Sequence, residues 1–341
     1  MIQQAIANAI DRIDLSRREA GAAMDQIMRG DATPAQIAAF LVAMRMKGER
    51  PEEIAGFAAS MRAHATRVES SLAADAVDLV GTGGDGKNTF NISTVAAFVV
   101  AGAGVPVAKH GNRAVSSKCG SADVLRSLGV EIDLDAVQMG QCLTEAGIAF
   151  LFAPRVHPAM RHAVGPRREI GVRSVFNILG PICNPAGVSR QLIGVYDRNL
   201  ARLLAEVLRQ LESRRVLLVH SADGMDEISI AAPTHVVELD GGAIREYDIA
   251  PSDFGIAVSD ADLSGGDAGE NAALARAILE GRKGPHRDIV VVNAAAGLYA
   301  AGAVDSFREG AERAAAAIDD GAALARLETL AALTQRLAKA A

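Results

Sequence analysis

Glycines and short polar side chains are concentrated between Gly81 and Thr94, in the sequence GTGGDGKNTFNIST. An apolar run at residues 77–80 precedes this stretch, and an apolar segment long enough for a helix follows it. Glycine permits positive φ and close backbone approach, so consecutive N–H groups can point at one anion. Hydroxyl and amide side chains at a helix start can cap the helix and bind phosphate oxygens. The pattern predicts a strand, a phosphate-binding loop and a helix N-terminus.

A second polar stretch, KHGNRAVSSKCGSAD, follows a strand that we predict at residues 105–108. It places hydroxyls just before a short helix predicted at residues 121–128. Two such loops side by side would suit a ligand with two phosphate groups. A glycine-rich turn without a ligand would leave six polar side chains unexplained together: Lys109, His110, Asn112, Ser116, Ser117 and Ser121.

A nucleotide-binding P-loop is the main alternative for the glycine-rich stretch. Gly81, Gly86 and Lys87 match the spacing G-x-x-x-x-G-K. The next position of that motif is Ser or Thr, which holds Mg²⁺, whereas this chain has Asn88. The predicted helix also begins several residues too late for a P-loop, so the match is incomplete.

Arginines are concentrated in residues 153–185, which read APRVHPAMRHAVGPRREIGVRSVFNILGPICNP. Solvated helix faces can explain some of them. A site for an anionic substrate explains their concentration better, because guanidinium groups bind carboxylate and phosphate through paired hydrogen bonds. The five are Arg155, Arg161, Arg167, Arg168 and Arg173.

Three carboxylates, Asp223, Asp226 and Glu227, follow a strand that we predict at residues 216–220. Loops at the carboxyl ends of parallel strands form the sites of such sheets, and adjacent carboxylates are hard oxygen ligands that suit Mg²⁺. The alternative is a hydrophilic turn without a ligand. The spacing does not match a calcium loop.

Composition narrows the functional class. The 341 residues are half hydrophobic, and 35 Lys and Arg against 41 Asp and Glu give a net charge of −6. This charge argues against electrostatic binding to nucleic acid or membranes. The three cysteines fall in no CxxC spacing, and the N-terminal residues lack the apolar centre of a signal peptide. We therefore expect a cytoplasmic enzyme.

Residues 1–70 predict four helices. Ile6, Ile10 and Ile13 share one face of the first helix, which we expect to face inward. The other three predicted helices each begin at an N-terminal signal. These signals are Ser16 with Glu19, Thr33 with Pro34 and Gln36, and Pro51.

After residue 70 the predicted strands alternate with predicted helices, and this order predicts a mostly parallel sheet covered by helices. A hairpin at residues 235–239 and 245–249 adds an antiparallel part. An alanine-rich helix is expected from residue 306 to 340. Strands are predicted at 77–80, 105–108, 149–152, 191–195, 216–220 and 288–292. Helices are predicted at 121–128, 136–146, 199–212 and 271–280.

Four motifs in this order, GTGGDGKNTFNIST, KHGNRAVSSKCGSAD, HPAMRHAVGPRREIGVRSVFNILGPICNPA and DGMDEIS, resemble the anthranilate phosphoribosyltransferases. The resemblance covers nearly the whole chain. It implies a small helical domain and a large, mostly parallel α/β domain, as in nucleoside phosphorylases. The helical part and the hinge would consist of residues 1–72 and 155–187. The α/β domain would consist of residues 73–154 and 188–341. It also implies a homodimer through the helical domain, and transfer of a phosphoribosyl group from phosphoribosyl pyrophosphate to anthranilate with Mg²⁺ as cofactor.

The resemblance also implies roles for individual residues. The phosphoribosyl pyrophosphate contacts would be Gly81, Gly84, Asp85, Thr89, Asn91, Ile92, Ser93, Thr94, Lys109, Gly111, Asn112, Arg113, Ser116, Ser117 and Ser121. The anthranilate contacts would be Gly81, His110, Asn112, Arg167 and Pro181. Ser93, Asp226 and Glu227 would bind Mg²⁺, and Lys109, Asp226 and Glu227 would be catalytic. The chain departs from the family pattern at Arg126, Ser174, Ile182 and Cys183, none of them an implied ligand contact.

Two other functions remain open from the sequence. A pyrimidine nucleoside phosphorylase would share the fold, but residues 157–169 resemble the anthranilate enzymes instead. A non-catalytic, nucleic-acid-binding relative should be basic and lack parts of the loop, whereas this chain is acidic and keeps them.

Overall fold

The N-terminal part forms four helices in the computed structural model, which describes residues 1–113 and 119–340. They are α1 (Ile2–Ile10), α2 (Arg17–Arg29), α3 (Pro34–Lys47) and α4 (Pro51–Ala63). Two of the predicted starts are capping boxes: the Ser16 hydroxyl accepts from the N–H of Glu19, and the Thr33 hydroxyl from the N–H of Gln36. Each cap satisfies donors that a helix start leaves unpaired.

The remaining chain alternates between strands and helices. The strands are β1 (Val77–Gly81), β2 (Val107–Gly111), β3 (Ile148–Phe152), β4 (Arg190–Gly194), β5 (Arg215–Ser221), β6 (Thr234–Asp240) and β7 (Ala243–Ile249). The helices are α5 (Ile92–Gly102), α6 (Ser121–Ser127), α7 (Ala136–Ala146), α8 (Ala153–Val156), α9 (Arg161–Ile170), α10 (Phe176–Ile182), α11 (Arg198–Gln210), α12 (Ala268–Leu279), α13 (Pro285–Ala301), α14 (Phe307–Asp319) and α15 (Ala322–Ala340).

The described strands form one sheet in the order β3-β2-β1-β4-β5-β6-β7. The pairs from β3 to β5 are parallel, and the β6–β7 hairpin adds antiparallel strands at one edge. This arrangement confirms the predicted fold class of a helical unit joined to a mostly parallel α/β sheet.

Both faces of the sheet are buried. Along β5, Leu217 and Val219 belong to one apolar cluster, while Val216 and Leu218 belong to a second one that includes the helical unit. This alternation follows from the two-residue period of a strand. Helix α9 packs on α2 and α3, and α10 packs on α4. None of the described helices combines the length and apolar character needed to cross a membrane.

Three local predictions were wrong. Residues 288–292 lie inside helix α13, not in a strand. The buried residues of α1 are Ile2, Ala5 and Ala9, whereas Ile10 is 67% exposed and Ile13, just beyond the helix, is 53% exposed. The tail forms two helices, α14 and α15, which are separated at Asp320 and Gly321.

Candidate functional site

The glycine-rich loop begins where β1 ends, beside the end of β4. Gly81 pairs with Gly194 across the two strands. A Cβ atom at Gly81 would lie 2.6 Å from Oδ2 of Asp226, and one at Gly194 would lie 1.6 Å from the carbonyl oxygen of Asp226. Both glycines are therefore required for the acidic loop that follows β5 to approach the strand ends.

The acidic loop contacts the glycine-rich loop directly. The N–H of Gly83 donates to Oδ2 of Asp226 over 2.8 Å, and the N–H of Asp226 donates to Oδ2 of Asp85 over 3.4 Å. Gly83, Gly84 and Gly86 all have positive φ. The predicted phosphate loop and the predicted metal-binding carboxylates thus meet at one end of the sheet.

Helix α5 begins at the end of the glycine-rich loop, as predicted. Asn91 stands at its N-cap position, but its side chain points elsewhere: Nδ2 donates to the carbonyl of Cys119 over 3.3 Å, and Oδ1 accepts from Asn271 over 3.1 Å. Ile92 and Thr94 are buried in the first turn. The N–H of Ser93 donates to Oε1 of Glu227 over 3.3 Å.

Thr89 lies before this helix start, in an isolated antiparallel bridge to Ser264. The adjacent Asn88 has a positive φ of 54°, and its carbonyl accepts from the N–H of Gly265 over 2.8 Å. These contacts fix the segment between the glycine-rich loop and α5.

The side chain of Lys109 is buried between β1 and the first turn of α5. Its Nζ donates to the carbonyl of Leu79 over 2.6 Å and to Oγ of Ser93 over 3.2 Å. Burial lowers the pKa of Lys109, while the negative charges of Asp78 and Glu227 oppose that shift. Burial is the larger effect, so the two carboxylates offset only part of the cost of placing an ammonium group here.

Burial raises the pKa of Asp226 to about 7 and that of Glu227 to about 8. Repulsion from Asp85 adds to the shift of Asp226, and repulsion from Asp226 adds to that of Glu227. A bound cation would relieve this crowding, and carboxylates are the ligands that Mg²⁺ prefers. No cluster of three or more His, Cys, Asp or Glu side chains in residues 1–113 and 119–340 forms a complete metal site. Two carboxylates nevertheless fit Mg²⁺, which commonly takes one or two from protein and the rest of its ligands from water and phosphate.

The second predicted loop begins at the end of β2. His110 is buried, with Nδ1 3.1 Å from the carbonyl of Gly180 and its ring 5.1 Å from that of His157. Burial lowers the pKa of His110 to about 3 and that of His157 to about 4. Both imidazoles are therefore neutral at neutral pH.

Asn112 and Arg113 follow β2, and α6 begins at Ser121. The carbonyl of Asn112 accepts from Oγ of Ser121 over 3.1 Å, and Arg113 lies over the ring of Phe152 at 5.6 Å. A Cβ atom at Gly111 would lie 2.5 Å from Oγ of Ser121. Ser116 and Ser117 lie outside the described residues.

The predicted acceptor residues lie on α9 and α10. Arg167 is half-buried, lies 5.1 Å from the ring of Phe176, and has its pKa lowered by burial. Its neighbour Arg168 is exposed. Pro181 is buried, and its carbonyl accepts from Nε2 of Gln191 over 2.8 Å. In the described ranges no hydrogen bond joins Arg167 to the glycine-rich loop, so its role stays a prediction.

Sequence reasoning missed several buried polar residues that support the site. Asp78 accepts from the N–H of His110 over 3.1 Å and from Nδ2 of Asn184 over 2.8 Å. Asn293 on α13 accepts from the N–H of Ile228 and donates to its carbonyl, each over 2.9 Å, which fixes the backbone next to Glu227. An Asp within an apolar strand was a signal that could have identified the first of these.

Comparisons with known proteins agree with this arrangement. Residues 73–324 match the "Glycosyl transferase family, a/b domain", and residues 3–65 match the "Glycosyl transferase family, helical bundle domain". The anthranilate phosphoribosyltransferase of Moorella thermoacetica is 54% identical over 97% of this chain and 98% of its own length. That of Thermomicrobium roseum is 55% identical over 100% of this chain and 98% of its own length.

Solved structures give the same result. The anthranilate phosphoribosyltransferase of Thermus thermophilus superposes with a TM-score of 0.92 at 43% identity, covering 97% of this chain and 99% of that one. The Saccharomyces cerevisiae enzyme, solved in complex with PRPP and Mg, superposes with a TM-score of 0.89 at 27% identity, covering 98% of each chain. Because the chain is more than half identical to curated relatives over nearly its full length, it belongs to the anthranilate phosphoribosyltransferase family.

Proposed function

We propose that this chain transfers the phosphoribosyl group of 5-phosphoribosyl 1-pyrophosphate to the amine of anthranilate. The products are N-(5-phosphoribosyl)anthranilate and pyrophosphate, in the second step of tryptophan biosynthesis. The observation that carries the proposal is the contact between the acidic loop and the phosphate loop. Asp226 accepts from the N–H of Gly83, and Glu227 accepts from the N–H of Ser93. Incubation with phosphoribosyl pyrophosphate, Mg²⁺ and a panel of acceptors tests it: anthranilate should be consumed, and a nucleoside with phosphate should not.

The donor substrate would bind at the carboxyl end of the sheet. The glycine-rich loop and the start of α5 lie at this end, where a helix N-terminus favours anions. Lys109 adds a buried positive charge next to Ser93. The residues proposed to hold the donor are those named from the sequence: Gly81, Gly84, Asp85, Thr89, Asn91, Ile92, Ser93, Thr94, Lys109, Gly111, Asn112, Arg113, Ser116, Ser117 and Ser121.

Asp226 and Glu227, with the hydroxyl of Ser93, would hold Mg²⁺. When bound there, the ion would neutralise negative charge on the diphosphate. The raised pKa values of the two carboxylates support this assignment, because burial and, to a smaller extent, repulsion between neighbouring acids both oppose ionisation, and a bound cation would offset both.

The reaction forms one bond and breaks another at C1 of the ribose. The electron pair of the amine nitrogen forms the N–C1 bond, while the C1–O bond breaks and its pair leaves with pyrophosphate. The amine then loses a proton to solvent. Lys109 and the loop N–H groups stabilise the charge that grows on the leaving group, which is the main catalytic contribution of the chain. An aromatic amine is already unprotonated near neutral pH, so no general base is assigned.

Anthranilate would bind against α9 and α10. The guanidinium of Arg167 can pair with its carboxylate in a bidentate manner. The neutral imidazole of His110, together with Gly81, Asn112 and Pro181, would line the remainder of the pocket. Burial of Arg167 supports this role, because a partly desolvated guanidinium gains most from an incoming carboxylate.

We also propose that two copies of the chain form a homodimer through the helical domain. Ile10 on α1 and Met46 on α3 are 67% and 73% exposed, and these two helices pack together. A contiguous exposed apolar patch, rather than a single apolar side chain, marks an interaction surface, so we take these two residues of adjacent helices as parts of one such patch. Sedimentation equilibrium should give twice the chain mass, and the double variant Ile10→Glu, Met46→Glu should sediment as a monomer. A monomeric wild-type protein would contradict the dimer.

The division into domains is proposed as the sequence predicts it: 1–72 with 155–187, and 73–154 with 188–341. Contacts of α9 with α2 and α3 support placing residues 155–187 with the helical part. Cytoplasmic localisation is supported by Cys142 and Cys183, which are buried thiols.

A further inference from the structure

Arg173 reaches from the segment between α9 and α10 to the glycine-rich loop. Its Nη2 donates to the carbonyl oxygen of Gly84, and its guanidinium lies 4.1 Å from the ring centroid of Tyr196. The side chain is exposed, so it does not serve the core. Arginine is suited to this position, because its planar group can stack on an aromatic face while its edge donates a hydrogen bond.

Close packing of the guanidinium against the loop depends on Gly84. This residue has a φ of +79°, and a Cβ atom there would lie 3.1 Å from Nη2 and 3.5 Å from Cζ of Arg173. Any larger residue would strain the backbone and push the guanidinium away. Gly84 and Arg173 therefore fit each other in shape as well as in hydrogen bonding.

Tyr196 is a fixed platform for this contact. It follows β4, and its N–H donates to Oγ1 of Thr82 over 3.0 Å. The N–H of Thr82 in turn donates to the carbonyl of Gly194 over 2.9 Å. The ring beneath Arg173 is thus anchored to the same strand end from which the glycine-rich loop departs.

Two contacts hold the loop at adjacent residues. Asp226 accepts from the N–H of Gly83, and Arg173 donates to the carbonyl of Gly84. Within the part of the chain that the structure describes, the N–H groups of Gly84, Asp85 and Gly86 donate to no protein acceptor. Holding the loop at Gly83 and Gly84 leaves these three donors available for an anion.

We propose that Arg173 is a positioning residue for the phosphate-binding loop: clamped between Tyr196 and the carbonyl of Gly84, it holds the loop ready for phosphoribosyl pyrophosphate. Because it lies six residues after Arg167, it also ties the acceptor-side segment to the donor-binding loop. The inference rests on the proposed function for the identity of the donor. A preorganised loop avoids the entropic cost of ordering on binding.

The test compares Arg173→Ala and Arg173→Lys with the wild type. We expect Arg173→Ala to raise the KM for phosphoribosyl pyrophosphate about ten-fold, the usual effect of losing a hydrogen bond to a charged group. The KM for anthranilate should change less than two-fold, by roughly the scatter of surface substitutions. Arg173→Lys should restore only part of the loss, because an ammonium group can donate but cannot stack flat. Arg168→Ala, an exposed arginine on α9, is the matched control and should match the wild type.

Tyr196 gives a second set of variants. Tyr196→Phe keeps the ring and should behave like the wild type, whereas Tyr196→Ala removes the platform and should reproduce the effect of Arg173→Ala. Amide hydrogen exchange of residues 82–88 without substrate should be faster in both Ala variants. This readout separates positioning of the loop from direct contact with the substrate.

Two results would overturn the proposal. One is an Arg173→Ala protein with unchanged loop exchange and an unchanged KM for phosphoribosyl pyrophosphate. The other is a rise in the KM for anthranilate alone, which would place Arg173 in the acceptor pocket. Wild-type turnover in the same assay tests the function itself, so failure of the function and failure of the clamp are distinguishable.

Discussion

The ammonium group of Lys109 lies 3.2 Å from Oγ of Ser93, in the first turn of α5. A cation at a helix N-terminus is unfavourable, because the helix dipole already carries partial positive charge there. The carboxylates of Asp78 and Glu227 offset part of this charge. The remaining field, created by a buried lysine, a helix start and a glycine-rich loop, favours an incoming polyanion.

Replacing Lys109 tests whether its charge acts on the reaction. Lys109→Met retains an unbranched apolar chain of similar length and removes the charge. We expect kcat to fall by about 10²–10³-fold, the usual effect of removing a donor that stabilises developing negative charge. Steady-state kinetics at saturating concentrations of both substrates measures this effect. A kcat within two-fold of the wild type would exclude Lys109 from catalysis.

Removal of the acidic pair tests the metal site. Asp226→Asn with Glu227→Gln preserves shape and removes both charges. We expect the Mg²⁺ concentration that gives half-maximal activity to rise at least about ten-fold, because carboxylates are the preferred ligands. Thermal denaturation should show a Tm equal to or above that of the wild type, since the crowded charges are relieved. Asp223→Asn, in the same loop, is the control.

An unchanged metal requirement in the double variant would instead indicate that the acidic loop is a hydrophilic turn. A lower Tm together with normal metal dependence would lead to the same conclusion.

The sequence was most informative where a local pattern determines a local structure. Glycines followed by Asn91, Ser93 and Thr94 predicted a loop and a helix start, and capping boxes predicted the starts of α2 and α3. Such signals depend on only a few adjacent residues.

Tertiary packing explains the failures. The apolar run at 288–292 belongs to α13, which is buried on nearly all sides, so its hydrophobicity shows no helical period. In α1 Ile2, Ala5 and Ala9 form the face that packs on the core, and Ile10 lies outside this face, on an exposed side of the helix. The contact between Arg173 and Gly84 joins positions 89 residues apart and left no local signal.

The choice between Arg167 and Arg168 provides a sharp test of the acceptor pocket. The two lie on one helix about 100° apart, so they cannot both face one ligand. Arg167→Ala should raise the KM for anthranilate by roughly ten- to a hundred-fold, the effect of losing a charged hydrogen-bonding partner. Arg168→Ala should do much less. If Arg167→Ala weakens only phosphoribosyl pyrophosphate, Arg167 belongs to the phosphate site.

The buried histidines predict a dependence of stability on pH. The pKa of His157 is lowered to about 4 from an unfolded value of 6.5. Below pH 6.5 the unfolded chain therefore binds a proton that the folded chain does not. The free energy of unfolding should fall by up to about 1.4 kcal/mol per pH unit for this residue, from about pH 6.5 down to about pH 4. Above that window its contribution should be constant.

Urea denaturation between pH 5 and pH 7.5 measures this slope. His157→Gln cannot take up the proton, so its stability should fall less steeply with decreasing pH than that of the wild type. Equal slopes for the two proteins would show that His157 is not buried in its neutral form.

We propose that the phosphate loop, the buried lysine and the acidic pair act together in transferring a phosphoribosyl group to anthranilate. Anthranilate fluorescence, followed after addition of phosphoribosyl pyrophosphate, measures this transfer directly. We expect a decrease in fluorescence that requires Mg²⁺ and is accompanied by release of one pyrophosphate per anthranilate consumed. Constant fluorescence, with a nucleoside and phosphate reacting in its place, would contradict it.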